Sequence, residues 1–208
     1  EVVGLTEGQT VLLQSGALIG NLVSSLPWGW ASDRYGSKPV MISGLVMKIL
    51  LPVLWFTMPR ESELSFTVAM GIAVLLGVSD MAWGIGAGRL LFVSVVPPEK
   101  KLEYMPLHYA WVGTIGGLSQ LMGGVLIDLF VGIDGEWMGF ALNAYSPLFA
   151  LGFVLTIATT LLLMGMRADN IFGVGQFAGM FFRGNPFLAV NALVRYYMAK
   201  DERSTISI

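Results

Sequence analysis

Residues 29–39 read Gly29-Trp30-Ala31-Ser32-Asp33-Arg34-Tyr35-Gly36-Ser37-Lys38-Pro39, a charged turn between two long apolar runs. Residues 11–31 carry no charge, and residues 40–58 carry only Lys48. A hydrocarbon core about 30 Å thick takes roughly 20 apolar residues as helix, so each flank predicts a membrane span. The turn between them is too short to be a domain. Gly36 can supply the positive φ that reverses the chain, Ser37 can cap the next helix, and Pro39 suits its first turn. Asp33, Arg34 and Lys38 do not belong in hydrocarbon, so they mark the point where the chain surfaces.

The spelling Gly-x-x-x-Asp-Arg-x-Gly-x-Lys, made by Gly29, Asp33, Arg34, Gly36 and Lys38, resembles the signature loop of the major facilitator superfamily of secondary transporters. Ser37 stands where a basic residue is common in that family. There the loop joins the second and third helices of each six-helix half, on the cytoplasmic face. The resemblance implies that these five residues form a conformational gate. In it, Asp33 would hold a neighbouring helix end and favour the outward-facing state. Arg34 and Lys38 would meet lipid phosphates or cytoplasmic acidic groups. The motif speaks to fold and topology and says almost nothing about substrate.

Composition agrees with a membrane protein. Of 208 residues, 55% are hydrophobic and only 12% charged, where a soluble domain has about 25% charged. The net charge of −2 excludes a broad nucleic-acid-binding surface. With no cysteine, disulfides, clusters and thiol chemistry are excluded. A single histidine without cysteine does not assemble a usual zinc site, so no metal or other cofactor is expected. Neither Gly-x-x-x-x-Gly-Lys nor Gly-x-Ser-x-Gly occurs, and Gly173-Val174-Gly175 with Gly179 misses the dinucleotide spacing. Enzyme signatures are therefore absent, and transport would draw on an ion gradient or on the substrate's own gradient.

Hydropathy predicts five spans, at about 11–31, 40–58, 66–96, 105–130 and 145–166, within a half-bundle covering 1–168. Pro52 should kink the second. The third is too long for one perpendicular crossing and reads as a tilted helix whose last turns, from about Arg89, protrude toward water. Residues 169–208 read as a cytoplasmic tail. Within it, 186–200 carry Phe187, Val190, Leu193, Val194 and Tyr197 on one face, an amphipathic helix along anionic lipid. With the signature turn inside, Arg34, Lys38, Arg89, Lys100, Lys101 and Arg167 all fall on the inner side. Outer loops hold only Arg60 against Glu61, Glu63, Asp134 and Glu136, a positive-inside pattern. The expected placement is the plasma membrane, N-terminus outside and C-terminus cytoplasmic.

The fold class expected is therefore all-α and integral to the membrane: five helices of a major-facilitator-type half bundle plus the tail helix. By resemblance the chain is most of the C-terminal half, lacking that half's first helix. The expected partners are the missing part of the transporter, or a split partner chain, together with the bilayer. The expected function is secondary active or facilitative transport of a small solute by alternating access. The alternative is a transporter-derived structural or assembly subunit without transport activity.

Several intramembrane groups are candidates for substrate or coupling roles. Gln14, Asn21, Ser25 and Trp28 recur at helical spacing on the first span, and Gln120 lies on the fourth. Gln14, Asn21 and Gln120 can hydrogen-bond a substrate, or equally one another's helices. Lys48 and Asp80 fall near mid-depth on consecutive spans. Apart, each would cost on the order of 3 kcal/mol to insert, so pairing is expected, and such a pair can be either structural or proton-coupling. The pairs Gly16/Gly20, Gly84/Gly88 and Gly113/Gly117 have the spacing of close helix contacts.

Overall fold

Thr6 starts the first helix by a reciprocal cap: its hydroxyl accepts from the Gln9 amide at 3.3 Å, while its own amide donates to Gln9 Oε1 at 2.9 Å. The computed structural model describes residues 5–59, 62–137 and 140–166. Helix α1 spans Glu7–Tyr35 and ends where the Gly36 amide donates to the Ser32 carbonyl at 3.0 Å. Gly36 has φ 95°, the left-handed region open to glycine, and this one residue separates α1 from α2, Ser37–Thr57. No side chain caps α2; Ser37, expected to do so, instead accepts a bond from Arg89. Pro52 lies inside α2, which continues through it as one helix. Having no N–H, Pro52 leaves the Lys48 carbonyl without its helical donor.

Helix α3, Ser65–Arg89, runs on into a π-helical segment, Leu90–Val95, so that the rod loosens at Arg89. A 3₁₀ turn, Pro98–Lys100, leads into α4, Lys101–Leu129. The stretch read from sequence as a loop contains a small antiparallel hairpin, β1 Gly135–Trp137 with β2 Phe140–Leu142, in register Gly135 to Leu142. Helix α5, Ser146–Gly165, follows. The segments 37–57, 65–95, 98–129 and 146–165 are long and apolar enough to cross a membrane. Helix α1 has the length as well, but Gln14, Asn21, Ser24 and Ser25 lower its mean hydropathy below theirs. The tail and its expected helix, 186–200, lie outside the described residues, as do Arg60, Glu61 and Arg167.

Packing centres on α3, with α1 and α2 against it and α5 against α2. Glycine makes the closest approaches possible. A methyl at Gly20 would drive into the Val74 carbonyl, and one at Gly77 into the Ala17 carbonyl, so the backbones of α1 and α3 touch. Gly44 and Gly86 do the same for α2 and α3, against Ser79 and Met41. Gly16 and Gly20 thus pack as their spacing suggests. A methyl at Gly84, Gly88, Gly113 or Gly117 would meet nothing within 4 Å among the described residues, and the close α3 contacts are made by Gly77 and Gly86 instead. Trp28, Ala31, Tyr35, Val40 and Ala82 form a buried cluster beneath the signature turn. Helix α4 buries none of its residues; it rests on the preceding turn and on α5.

Candidate functional site

At the signature turn the charges are used in three different ways. Asp33, its side chain 82% exposed, meets Arg89 Nε at 3.4 Å, and Arg89 Nη1 also donates to Ser37 Oγ at 3.3 Å. One guanidinium from the end of α3 therefore bridges the last turn of α1 and the first of α2. Arg34 stacks over its own helix, 5.7 Å from the Trp30 ring centre, and Trp30 meets Tyr35 edge-on. Lys38 does not face headgroups. It is buried, and its ammonium donates to the Met164 carbonyl at 2.8 Å and the Met166 carbonyl at 2.7 Å. Those carbonyls end α5, where the helix leaves acceptors unpaired and its dipole is negative, so a buried ammonium is well placed there. A methyl added at Gly29 would meet nothing within 4 Å among the described residues.

The turn thus ties together the ends of α1, α2, α3 and α5 through two cations. Asp33 was expected to hold a helix end. Its carboxylate faces the Arg89 guanidinium at the C-terminal end of α3. Arg89 and the α5 carbonyls are the partners that sequence reasoning missed. Arg89 was readable by one rule: a cation at the depth of an acidic residue on a neighbouring span. The carbonyls carry no sequence signal, since every helix has them.

Some 17 Å up α2 from the turn, at 1.5 Å per residue, the second constellation appears. Lys48 Nζ and Asp80 Oδ1 are 2.5 Å apart, joining α2 to α3 midway along both helices. The side chains keep 36% and 44% of their surface exposed, so the pair lies beside the helix contact rather than sealed within it. Gly44, one turn below Lys48, lets α2 approach α3 closely enough for the pair to close.

The polar stripe on α1 divides. Trp28 is buried and its indole Nε1 donates to the Val78 carbonyl at 3.0 Å, which fixes α1 to α3. Ser25 bonds back to the Leu22 carbonyl of its own helix. Asn21 is half-buried beside Gly77, whereas Gln14 is exposed. Gln120 is exposed on α4, a helix that rests on α5, while Asn21 lies at the α1–α3 contact and Gln14 is exposed on α1. His108 sits edge-on to Phe92, at 5.7 Å, and to Tyr109. Asp128 is exposed near the far end of α4. Among the described residues no group of three or more His, Asp or Glu is placed to hold a metal ion.

Comparison with known proteins bears on the same residues. A family model described as Major Facilitator Superfamily matches residues 1–151, which includes the signature turn and the Lys48–Asp80 pair. A probable peptide/nitrate transporter of Arabidopsis thaliana is 29% identical over 109 residues, covering 52% of this chain and 20% of its own length. An organic cation transporter-like protein of Drosophila melanogaster is 27% identical over 126 residues, 61% of this chain and 20% of its own. An uncharacterized membrane protein of Saccharomyces cerevisiae is 26% identical over 132 residues, 61% of this chain and 28% of its own. The chain therefore spans between a fifth and somewhat over a quarter of the curated relatives it matches. No solved structure matches it.

Proposed function

The chain belongs to the major facilitator superfamily, and on that premise we propose that it is part of a transporter that moves a small solute across the plasma membrane by alternating access. The observation that carries this reading is the gate at the signature turn. Lys38 fastens α5 to the start of α2, and Arg89 bridges Asp33 and Ser37. Ionic and hydrogen-bonded ties among four helix ends can break and reform as a unit, which is what switching between two access states requires. A structural subunit has no need of ties that release. The basic residues gathered at that end favour placing it on the cytoplasmic side. The rest of a longer transporter is the partner this reading requires, with anionic lipid beside the tail.

The relatives' names mention peptide, nitrate and organic cation, so the reading extends to a small polar solute and leaves its charge open. The full-length protein in liposomes, offered dipeptides, nitrate and quaternary ammonium ions, is expected to take up one of these classes above protein-free vesicles. In that system Asp33→Asn removes the acceptor charge for Arg89. It is expected to cut uptake at least fivefold, with insertion intact and with inward and outward cysteine accessibility shifted. Accessibility and uptake both unchanged in the variant would overturn the gate.

A further inference from the structure

At the end of the bundle away from the signature turn, a cleft of about 380 Å³ opens between the last turns of α2 and the first turns of α5. Pro52, Val53 and Phe56 form one wall; Phe149, Ala150 and Phe153 form the other. Phe56 and Phe149 meet edge-on with ring centres 5.5 Å apart. Two hydroxyls lie at its rim, and both are turned to their own chain. Thr57 donates to the Val53 carbonyl at 3.0 Å, and Ser146 Oγ accepts from the Asn143 amide at 3.0 Å. An ordered water needs two to four polar partners, and an apolar cavity without them stays dry. A polar solute has even less to bind here.

What fills the cleft follows from the surface it opens on. Val53 lines it and is 50% exposed, next to Leu50 and Leu54; Ala150 lines it one turn from the exposed Val154. Both helices are apolar enough to span, and a continuous apolar face at the edge of such helices is suited to meet hydrocarbon. Pro52 to Thr57 lie roughly 22 to 30 Å from the start of α2, which puts the cleft in the leaflet opposite the signature turn. We propose that the cleft is a binding site for one acyl chain of a phospholipid in that leaflet. The chain lies against the three phenylalanines, with its headgroup outside at the level of the β1–β2 hairpin. It fills the far end of the α2–α5 contact, whose near end Lys38 holds. The site does not depend on the transport reading, since it would exist in a subunit that moves nothing.

The test uses the full-length protein in nanodiscs of phosphatidylcholine carrying a diazirine halfway along one acyl chain. Crosslinks are mapped by mass spectrometry. At least a fivefold excess at Phe56, Phe149 and Phe153 over Leu50 and Val154 is expected. Ala150→Phe fills the cleft and is expected to abolish that excess while leaving the yield at Leu50 and Val154 unchanged. If that variant does not fold, Phe153→Ala enlarges the cleft and is expected to raise the yield at Ala150 several-fold. Equal yields at the cleft and on the surrounding face would mean ordinary boundary lipid and would overturn the site. An absence of crosslinks in the cleft, with normal yields around it, would mean that protein covers it, and would overturn the site equally.

Discussion

Lys38 and Lys48 lie three turns apart on α2 and illustrate two ways of keeping a lysine in a membrane helix. Lys38 donates hydrogen bonds to two carbonyls, neutral but polarised by a helix end. Lys48 has taken a full countercharge. Hydrogen bonds to a charged donor contribute about 1.5–3 kcal/mol each, and Lys38→Met removes two and strands the acceptors. A loss of about 3 kcal/mol is expected, measured by reversible unfolding in detergent or bicelles, with α5 the first segment to become protease-sensitive. For Lys48 and Asp80 the decisive variant is the exchange, Lys48→Asp with Asp80→Lys. Each single reversal puts like charges together and is expected to destabilise. The double exchange is expected to restore folding, because geometry and charge balance return. If uptake also returns, the pair is structural. Restored folding without ion-driven accumulation assigns it to coupling. Singles as stable as the parent would show that the pair does not form in the membrane.

At the scale of helices, close approach was partly legible and partly not. The charged turn, the lengths of the apolar runs and the pairing of Lys48 with Asp80 could all be read, because charge in an apolar run is a rare and therefore informative signal. Which glycines pack could not. A helix that is apolar all round has no preferred face in its sequence, so small-x-x-x-small pairs are equally plausible wherever they occur. Gly84/Gly88 and Gly77 differ only in what stands opposite. The hairpin at 135–142 was hidden for a related reason: three-residue strands are too short for an alternating pattern to show. Substitution separates the glycines sharply. Gly77→Leu forces α1 and α3 apart and is expected to abolish folded yield by size-exclusion chromatography. Gly84→Leu, facing open space in this chain, is expected to retain at least half of it.

For the molecule as a whole, the order of contacts sets what can be tested. Helix α3 is the hub, α1 and α2 flank it, α5 leans on α2, and among the described residues α4 rests on α5 and the preceding turn with its apolar surface exposed. Topology can be checked without disturbing this core, since the chain has no native cysteine. Glu99→Cys and Asp134→Cys are both exposed positions at opposite ends of α4. They are expected to react with an impermeant maleimide from opposite sides of the membrane, Glu99→Cys from the side of the signature turn. Reaction of both from one side would show that α4 does not cross. Ser37 would be a poor reporter for the inner side, because it is fully buried.

The bonds of Lys38 also impose a schedule on biogenesis. Its two acceptors lie 126 and 128 residues further along the chain. At about 5–20 residues per second, synthesis takes roughly 6 to 25 s to reach them. For that interval the turn exists with its lysine unmatched, and α1, α2 and α3 are held by their glycine contacts, the Arg89 bridge and the Lys48–Asp80 pair without α5. Helix α5, made well after the signature turn, is thus the one that locks it. A ribosome stalled before α5, or a chain cut there, leaves a half-bundle that is inserted but unlatched, the kind of intermediate that quality-control proteases recognise.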